Sequence, residues 1–335
     1  MSILINKNIE KLISSNNIKI RTNFRKTQVQ PASMDLTISS NCYRIKASFI
    51  PNNKKVLDLI DNLSLNKIDL NKENLLEKNC IYICEINESL NLPSNYSAKS
   101  NPKSTTGRLD IFTRLITDYG SEYDLIKKGY KGKLFLEVIP QSFSIILKKG
   151  ISLNQIRLYK DEDKNLNFIK SQNISIYIQQ NKISAYKAKK NTSAINLNKI
   201  NHYKISDFWE KIIPKKNYFI IEKDEFYILR SSEKIKINNS IAAELEPFGD
   251  NFGNFRIHYA GFFDPGFGNT KIGTPAVFEL RAYDTPFFIE NKQMVAKLNY
   301  FKLIKNTASS YGKNIKSNYY NQKLKLAKQF KDNKY

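Results

Sequence analysis

Apolar residues fall in short runs along the chain, bounded by Gly, Pro, Asn or Lys-Gly turns. Cys80-Ile-Tyr-Ile-Cys84, Lys133-Leu-Phe-Leu-Glu-Val-Ile139, Phe143-Ser-Ile-Ile-Leu147 and Asn173-Ile-Ser-Ile-Tyr-Ile178 predict strands, as do Tyr218-Phe-Ile-Ile221, Glu225-Phe-Tyr-Ile-Leu229 and Phe287-Phe-Ile289. Helical spacing is rare. It is expected from Ile9 to Ile18, over a short stretch at Ser206-Asp-Phe-Trp-Glu-Lys211 with Ser206 as its cap, and from Asn321 to Phe330. The pattern predicts a mainly β protein with few short helices.

The pattern also recurs. Ile81 to Leu92 lies without gaps on Phe226 to Ile237, and Leu134 to Leu158 lies without gaps on Ala276 to Tyr300. Between them, Lys103-Ser-Thr-Thr-Gly-Arg-Leu109 is matched to Asn239-Ser-Ile-Ala-Ala-Glu-Leu245, and Gly129-Tyr-Lys-Gly132 to Asp264-Pro-Gly-Phe-Gly268. Four blocks in one order predict two copies of one β domain, residues 1–160 and 161–335. The Lys- and Asn-rich stretch between Leu158 and Lys215 holds Ile176-Tyr-Ile178 and the only tryptophan, Trp209, so an ordered connection is expected there.

At 335 residues the chain is long enough for a sizeable core. No apolar run reaches the roughly 18 residues of a membrane span, and Met1-Ser-Ile-Leu-Ile-Asn6 lacks a signal-peptide core. Three cysteines without a CxxC pair fit a reducing, cytoplasmic setting with neither structural zinc nor a disulfide frame. The net charge of +23 admits nucleic acid, an anionic membrane surface or a polyphosphate ligand. Nine of the 54 basic residues are Arg, which leaves 45 Lys. With so many Asn and Ile alongside, most of that Lys reads as a solvated coat. The few Arg carry more information, because a guanidinium forks onto phosphate or carboxylate.

Several chemistries are excluded. The two histidines, His202 and His258, lie far apart, and no Ser/His/Asp or Cys/His set is readable. His258-Tyr-Ala260 is not the His-x-Glu of a zinc deaminase, and no Pro-Cys-x-x-Cys accompanies it. GxxxxGK[ST] and GxGxxG are absent. What remains is Lys103-Ser104-Thr105-Thr106-Gly-Arg108, three hydroxyls with an ammonium and a guanidinium. That set suits a triphosphate, and it also suits a polar turn. Glu137 and Glu279 each interrupt an apolar strand. An inward Glu is raised in pKa or matched to a cation and can shuttle protons, whereas an outward one merely meets solvent. Phe255 to Gly268 is an aromatic hairpin closed by Asp264-Pro-Gly, able to cover a nucleobase or to sit in a core.

Four segments carry a resemblance: Gln30-Pro-Ala-Ser-Met-Asp-Leu36, Asn101-Pro-Lys-Ser-Thr-Thr-Gly-Arg-Leu-Asp110, His258-Tyr-Ala-Gly-Phe-Phe-Asp-Pro-Gly-Phe-Gly268 and Ser317-Asn-Tyr-Tyr-Asn-Gln322. Through them the chain resembles the dCTP deaminase branch of the dUTPase-like superfamily, in particular the tandem-domain 2′-deoxycytidine 5′-triphosphate deaminases of bacteria. The resemblance implies two dUTPase-like distorted β-barrel or jelly-roll domains in a homo-oligomer, a trimer or other ring, with sites at subunit contacts. It implies zinc-free deamination of dCTP to dUTP and ammonia, feeding thymidylate synthesis, with Mg²⁺ carried on the triphosphate. Glu137 or Glu279 would activate the water, with Arg108 and Ser104 supporting it. Lys103, Thr105 and Thr106 would meet phosphate, and Tyr319 and Gln322 would close over it. Gln155 and Arg157 would join the substrate contacts, and His258, Tyr259, Ala260 and Asp264 would cover the base. The lysine usual before the tail tyrosine is Asn318 here, a departure from the pattern.

The copies diverge. The block match sets Glu244 against Arg108, and Lys297 and Asn299 against Gln155 and Arg157. The expectation is a composite site, with Ser104, Thr105 and Arg108 from copy one and the hairpin and Glu279 from copy two. The alternative pairs Glu137 with Arg108. Two rival functions are kept: a dUTP pyrophosphatase or bifunctional enzyme with Asp264 as base, and a non-catalytic nucleotide binder. No ladder of stacking aromatics with basic flanks is found, which argues against a nucleic-acid partner.

Overall fold

The computed structural model describes residues 1–22, 24–161, 168–248, 255–257, 261–308, 312, 319 and 322–331. Strands dominate, in several small, mostly antiparallel sheets. One sheet runs Ser64–Asp69, Ile38–Ile45, Ile81–Asn91, Lys131–Pro140, Ile111–Thr117, and a second runs Ser2–Ile3, Asn154–Lys160, Tyr96–Pro102, Leu125–Ile126. The later half of the chain repeats this plan. Trp209–Ile212, Ala185–Ala188, Phe226–Ile235, Thr274–Ala282 and Phe255–Ile257 form one sheet, and Phe168–Ser175, Met294–Lys302, Ile241–Pro247 and Phe262–Phe263 form the other.

The cross-strand register shows how literal the repetition is. Glu137 faces Ile83, and Glu279 faces Ile228. Arg157 faces Lys99, and Asn299 faces Glu244. The second pair corrects the sequence alignment. Glu244 stands where Lys99 stands in copy one, not where Arg108 does. Pro102 therefore falls on Pro247, and the counterpart of the Lys103-to-Arg108 block falls at 248–253, of which 249–253 lie outside the described residues. The block match failed because it slid a turn onto a strand of similar small and hydroxylated residues.

Over its described residues, 158–161 and 168–215, the connection is ordered, as expected. Ile195–Asn196 pairs in parallel with Ile145–Leu147. Trp209 packs edge-on against Phe143 and Phe330. The larger core accordingly mixes Leu115 and Leu136 with Tyr186, Trp209, Phe226 and Phe330. A second core, around Phe278, Leu280 and Leu298, belongs to the later strands alone.

The helices differ from expectation. The N-terminal helix spans Asn6–Ser14, not Ile9 to Ile18, and gives way at Asn16, whose φ is +58°. A helix at Val56–Leu63 was not expected, although Val56, Ile60 and Leu63 share helical spacing. The Ser206 stretch is one turn, Ile205–Phe208, with Lys204 rather than Ser206 at its cap, and Trp209 opens a strand. The helix expected from Asn321 to Phe330 is not formed over its described part, 322–330. The Lys325 carbonyl, which such a helix would need inside it, accepts from Arg108 instead, and the Gln329 carbonyl pins the end of the stretch to the His202 and Tyr203 amides. Among the described residues no helix is long and apolar enough to cross a membrane.

Candidate functional site

The Tyr96–Pro102 strand ends at a proline, and one helical turn, Ser104–Gly107, follows. The Lys103 amide donates to the Leu153 carbonyl at 2.9 Å. The Thr106 hydroxyl donates to the same carbonyl at 2.7 Å, so Thr106 braces the turn. Ser104 and Thr105 are left to line a cavity of about 850 Å³. Its walls come from both halves of the chain, with Lys103, Arg108 and Gln155 from the first and Phe262, Asp264, Glu279, Tyr319 and Gln322 from the second.

Arg108 is buried at the centre. One guanidinium nitrogen donates to Gln322 Oε1 at 2.7 Å, and the other to the Lys325 carbonyl at 2.8 Å. The Tyr319 ring covers its face at 4.0 Å. Its Nε makes no hydrogen bond and stands 3.8 Å from Glu279 Oε1, an ion-pair distance but too long for a hydrogen bond. Glu279 is 3% exposed. Burial pushes its carboxyl up to about 8, with Arg108 pulling the other way and Asp110 adding a smaller push. A carboxylate so placed can hold a proton or release it near neutral pH.

The halves are clamped beside this pair. Arg281, two residues beyond Glu279, pairs with buried Asp110, two residues beyond Arg108, and Ser142 bonds to both. Desolvation raises the Asp110 carboxyl, while Arg281 lowers it.

Lys103 pairs with Asp35, whose buried Oδ1 has no partner. Thr105 shares a 2.7 Å hydrogen bond with the Tyr319 phenol. Arg25, Lys26, Lys149 and Lys328 complete a basic wall. Gln155 accepts from Ser33 at 3.4 Å.

The Asp264 turn closes the other side. Gly266 and Gly268 have φ of +95° and +61°, and at Gly268 a Cβ would collide with the Ile235 carbonyl, so this turn requires glycine. Asp264 accepts from Ser33 at 2.8 Å and from Arg157 at 3.4 Å. Burial raises its carboxyl against the pull of Arg157. Arg157 does not line the cavity. It is fully buried between the copies, bonded to Glu244 and the Ala243 carbonyl, with its guanidinium over Phe262. His258, Tyr259 and Ala260 lie outside the described residues.

Glu137 is elsewhere. It lines no wall of this cavity and is held by Arg114, through Nε at 2.7 Å and Nη2 at 2.5 Å. Tyr123 stacks on that guanidinium at 3.8 Å. The expected set is thus divided. Lys103, Ser104, Thr105, Thr106, Arg108, Gln155, Asp264, Glu279, Tyr319 and Gln322 converge, while Glu137 and Arg157 do not reach the cavity. Asp35, Arg25 and Lys328 were missed. Asp35 sat in view inside Gln30 to Leu36, but Lys328 is one of 45 lysines and gave no signal. Among the described residues no three of His, Cys, Asp and Glu converge on a metal position.

The model of the 2′-deoxycytidine 5′-triphosphate deaminase N-terminal domain matches residues 1–162, and that of the C-terminal domain matches residues 152–330. The crystal structure of 2′-deoxycytidine 5′-triphosphate deaminase from Agrobacterium tumefaciens superposes with a TM-score of 0.88 at 35% identity, over 94% of this chain and 99% of that one. The dUMP-forming dCTP deaminase of Methanocaldococcus jannaschii is 29% identical over 176 residues, 46% of this chain and 80% of the relative. That of Methanococcus maripaludis is 27% identical over 177 residues, 46% of this chain and 79% of the relative.

Proposed function

Because the chain belongs to the 2′-deoxycytidine 5′-triphosphate deaminase family and is therefore a hydrolase acting on carbon–nitrogen bonds, we propose that Glu279 activates the water that deaminates dCTP, inside a site made by both copies. The observation that carries this is the buried Arg108–Glu279 pair, 3.8 Å apart, with Glu279 lifted to about 8.

In its ionised form Glu279 takes a proton from water, and the oxygen adds to C4 of cytosine. The same carboxyl then returns the proton to the exocyclic nitrogen. The C4–N bond breaks and ammonia leaves, so dCTP and water give dUTP and ammonia. Arg108 steadies the charged carboxylate, and Ser104 helps to place the water. The hairpin ending at Asp264 covers the base, and Lys103 and Thr105 meet the phosphates with Tyr319 and Gln322 above them. Asp35 suits a magnesium ion carried on the triphosphate, since its buried Oδ1 is unpartnered beside Lys103. Such an ion would neutralise phosphate charge.

A second reading adds cleavage of the triphosphate. The two archaeal relatives are dUMP-forming, and the cavity holds two further carboxylates. Asp264 has both oxygens engaged, so Asp35 is the freer of the two. The test is to incubate the protein with dCTP, then with dUTP, and to assay ammonia and pyrophosphate separately. Ammonia alone supports deamination to dUTP, and both products support dUMP formation. Release of neither would overturn both readings and favour a nucleotide binder. Ammonia release undiminished in Glu279→Gln would overturn the assignment of the base.

A further inference from the structure

The tail that roofs the cavity brings a cation that belongs to none of the motifs. Lys328 sits in a turn whose backbone is fixed on both sides. Its carbonyl accepts from the Asn201 amide at 2.9 Å, and the Gln329 carbonyl accepts from His202 and Tyr203. Leu326, Ala327 and Phe330 are buried in the larger core. The Lys328 backbone also bonds to the Tyr319 phenol, whose other partner is Thr105. The half-buried side chain lines the cavity.

The charges around Lys328 do not balance. The groups acting on it are Lys103, Asp35 and Arg25. Asp35 is already paired with Lys103. Three cations against one carboxylate leave two positive charges unmatched. Among the described residues no carboxylate stands at ion-pair distance from Lys328. Burial, and then Lys103, push its ammonium below the usual lysine range. A cation held at such a cost is relieved when an anion binds beside it. Glu279 lines the same cavity, but the groups acting on it are Arg108 and Asp110. The cavity therefore sets a raised carboxyl in one charge environment and a Lys103 pole of three cations in another, as a nucleotide carries a base and a phosphate chain.

We propose that Lys328 binds the terminal phosphates of the nucleotide at the Lys103 pole and makes the enzyme favour a triphosphate over a monophosphate. The identity of the nucleotide rests on the deaminase reading, but the anion site does not. The test is calorimetric titration of the wild type, Lys328→Gln and Lys328→Arg with inorganic tripolyphosphate, dCTP and dCMP, alongside steady-state ammonia release. Lys328→Gln should bind tripolyphosphate and dCTP about 10- to 100-fold more weakly, the range for a lost charge-assisted hydrogen bond. KM for dCTP should rise with kcat little changed, dCMP binding should not move, and Lys328→Arg should restore the dCTP affinity. The proposal is overturned if the wild type does not bind tripolyphosphate. It is also overturned if Lys328→Gln binds tripolyphosphate and dCTP as tightly as the wild type, or weakens dCMP equally. If the wild type binds dCTP through Lys328 yet releases no ammonia, the deaminase reading falls and the anion site stands.

Discussion

Glu137 and Glu279 occupy the same place in two copies of one fold, on corresponding strands and opposite corresponding isoleucines. Both are buried. Their surroundings part them. The neighbouring strand of copy one sets Arg114 directly across from Glu137, and that guanidinium grips the carboxylate through two nitrogens while Tyr123 stacks on it. The cation near Glu279 comes instead from a loop of the other copy and spends its terminal nitrogens on Gln322 and the Lys325 carbonyl. It stands 3.8 Å off and leaves burial to dominate. A dedicated arginine occupies the Glu137 carboxylate, whereas the shared one leaves the Glu279 carboxyl raised by burial. Duplication equalises backbone positions, and the neighbouring side chains decide the chemistry.

The widest test of this contrast is to neutralise each glutamate. Glu279→Gln should lower kcat for ammonia release by about 10³-fold or more, at the upper end for a general acid–base, whereas Glu137→Gln should deaminate normally. The reverse outcome would break the composite site. Arg108→Gln should follow, with a loss of about 10²-fold, typical of removing one electrostatic partner of the reacting groups. The pH profile sharpens the contrast further. A base acts only when ionised, so on the role proposed for Glu279 kcat/KM should climb with rising pH and level off above about 8. A limb confined to pH 4–5 would mean that burial does not govern this carboxyl. Stability then separates the copies. Glu137→Gln leaves Arg114 facing a neutral amide and should cost about 2 kcal/mol in urea denaturation. The smallest effect is expected at the seam. Glu244→Gln should cost about 1 kcal/mol, because Arg157 keeps Asp264.

Much of this was legible in the chain itself. Short β-branched runs and recurring blocks were enough for a repeated β fold, the Lys103-to-Arg108 cluster and both Glu137 and Glu279 stood out as polar groups in need of a reason, and the resemblance supplied their expected roles. The register of the third block was not legible, since the small residues of Asn239 to Leu245 resemble a turn until the ladder to Lys297 and Asn299 is seen. The choice between Glu137 and Glu279 was not legible either, because it depends on an arginine brought from far along the chain. Nor was the tail. Its spacing suggested a helix, but its carbonyls serve Arg108 and the 202–203 amides.

The docked tail also bears on synthesis. Arg108 and Gln322 are 214 positions apart. At the usual 5–20 residues per second, roughly 10–40 s pass between their appearance at the ribosome. Through that interval a nascent chain holds the 103–108 turn without the tail and, until residue 279, without Glu279. Arg108 thus waits on the second copy for both groups that fix its terminal nitrogens, and a ribosome stalled before residue 322 displays a cavity with one wall open.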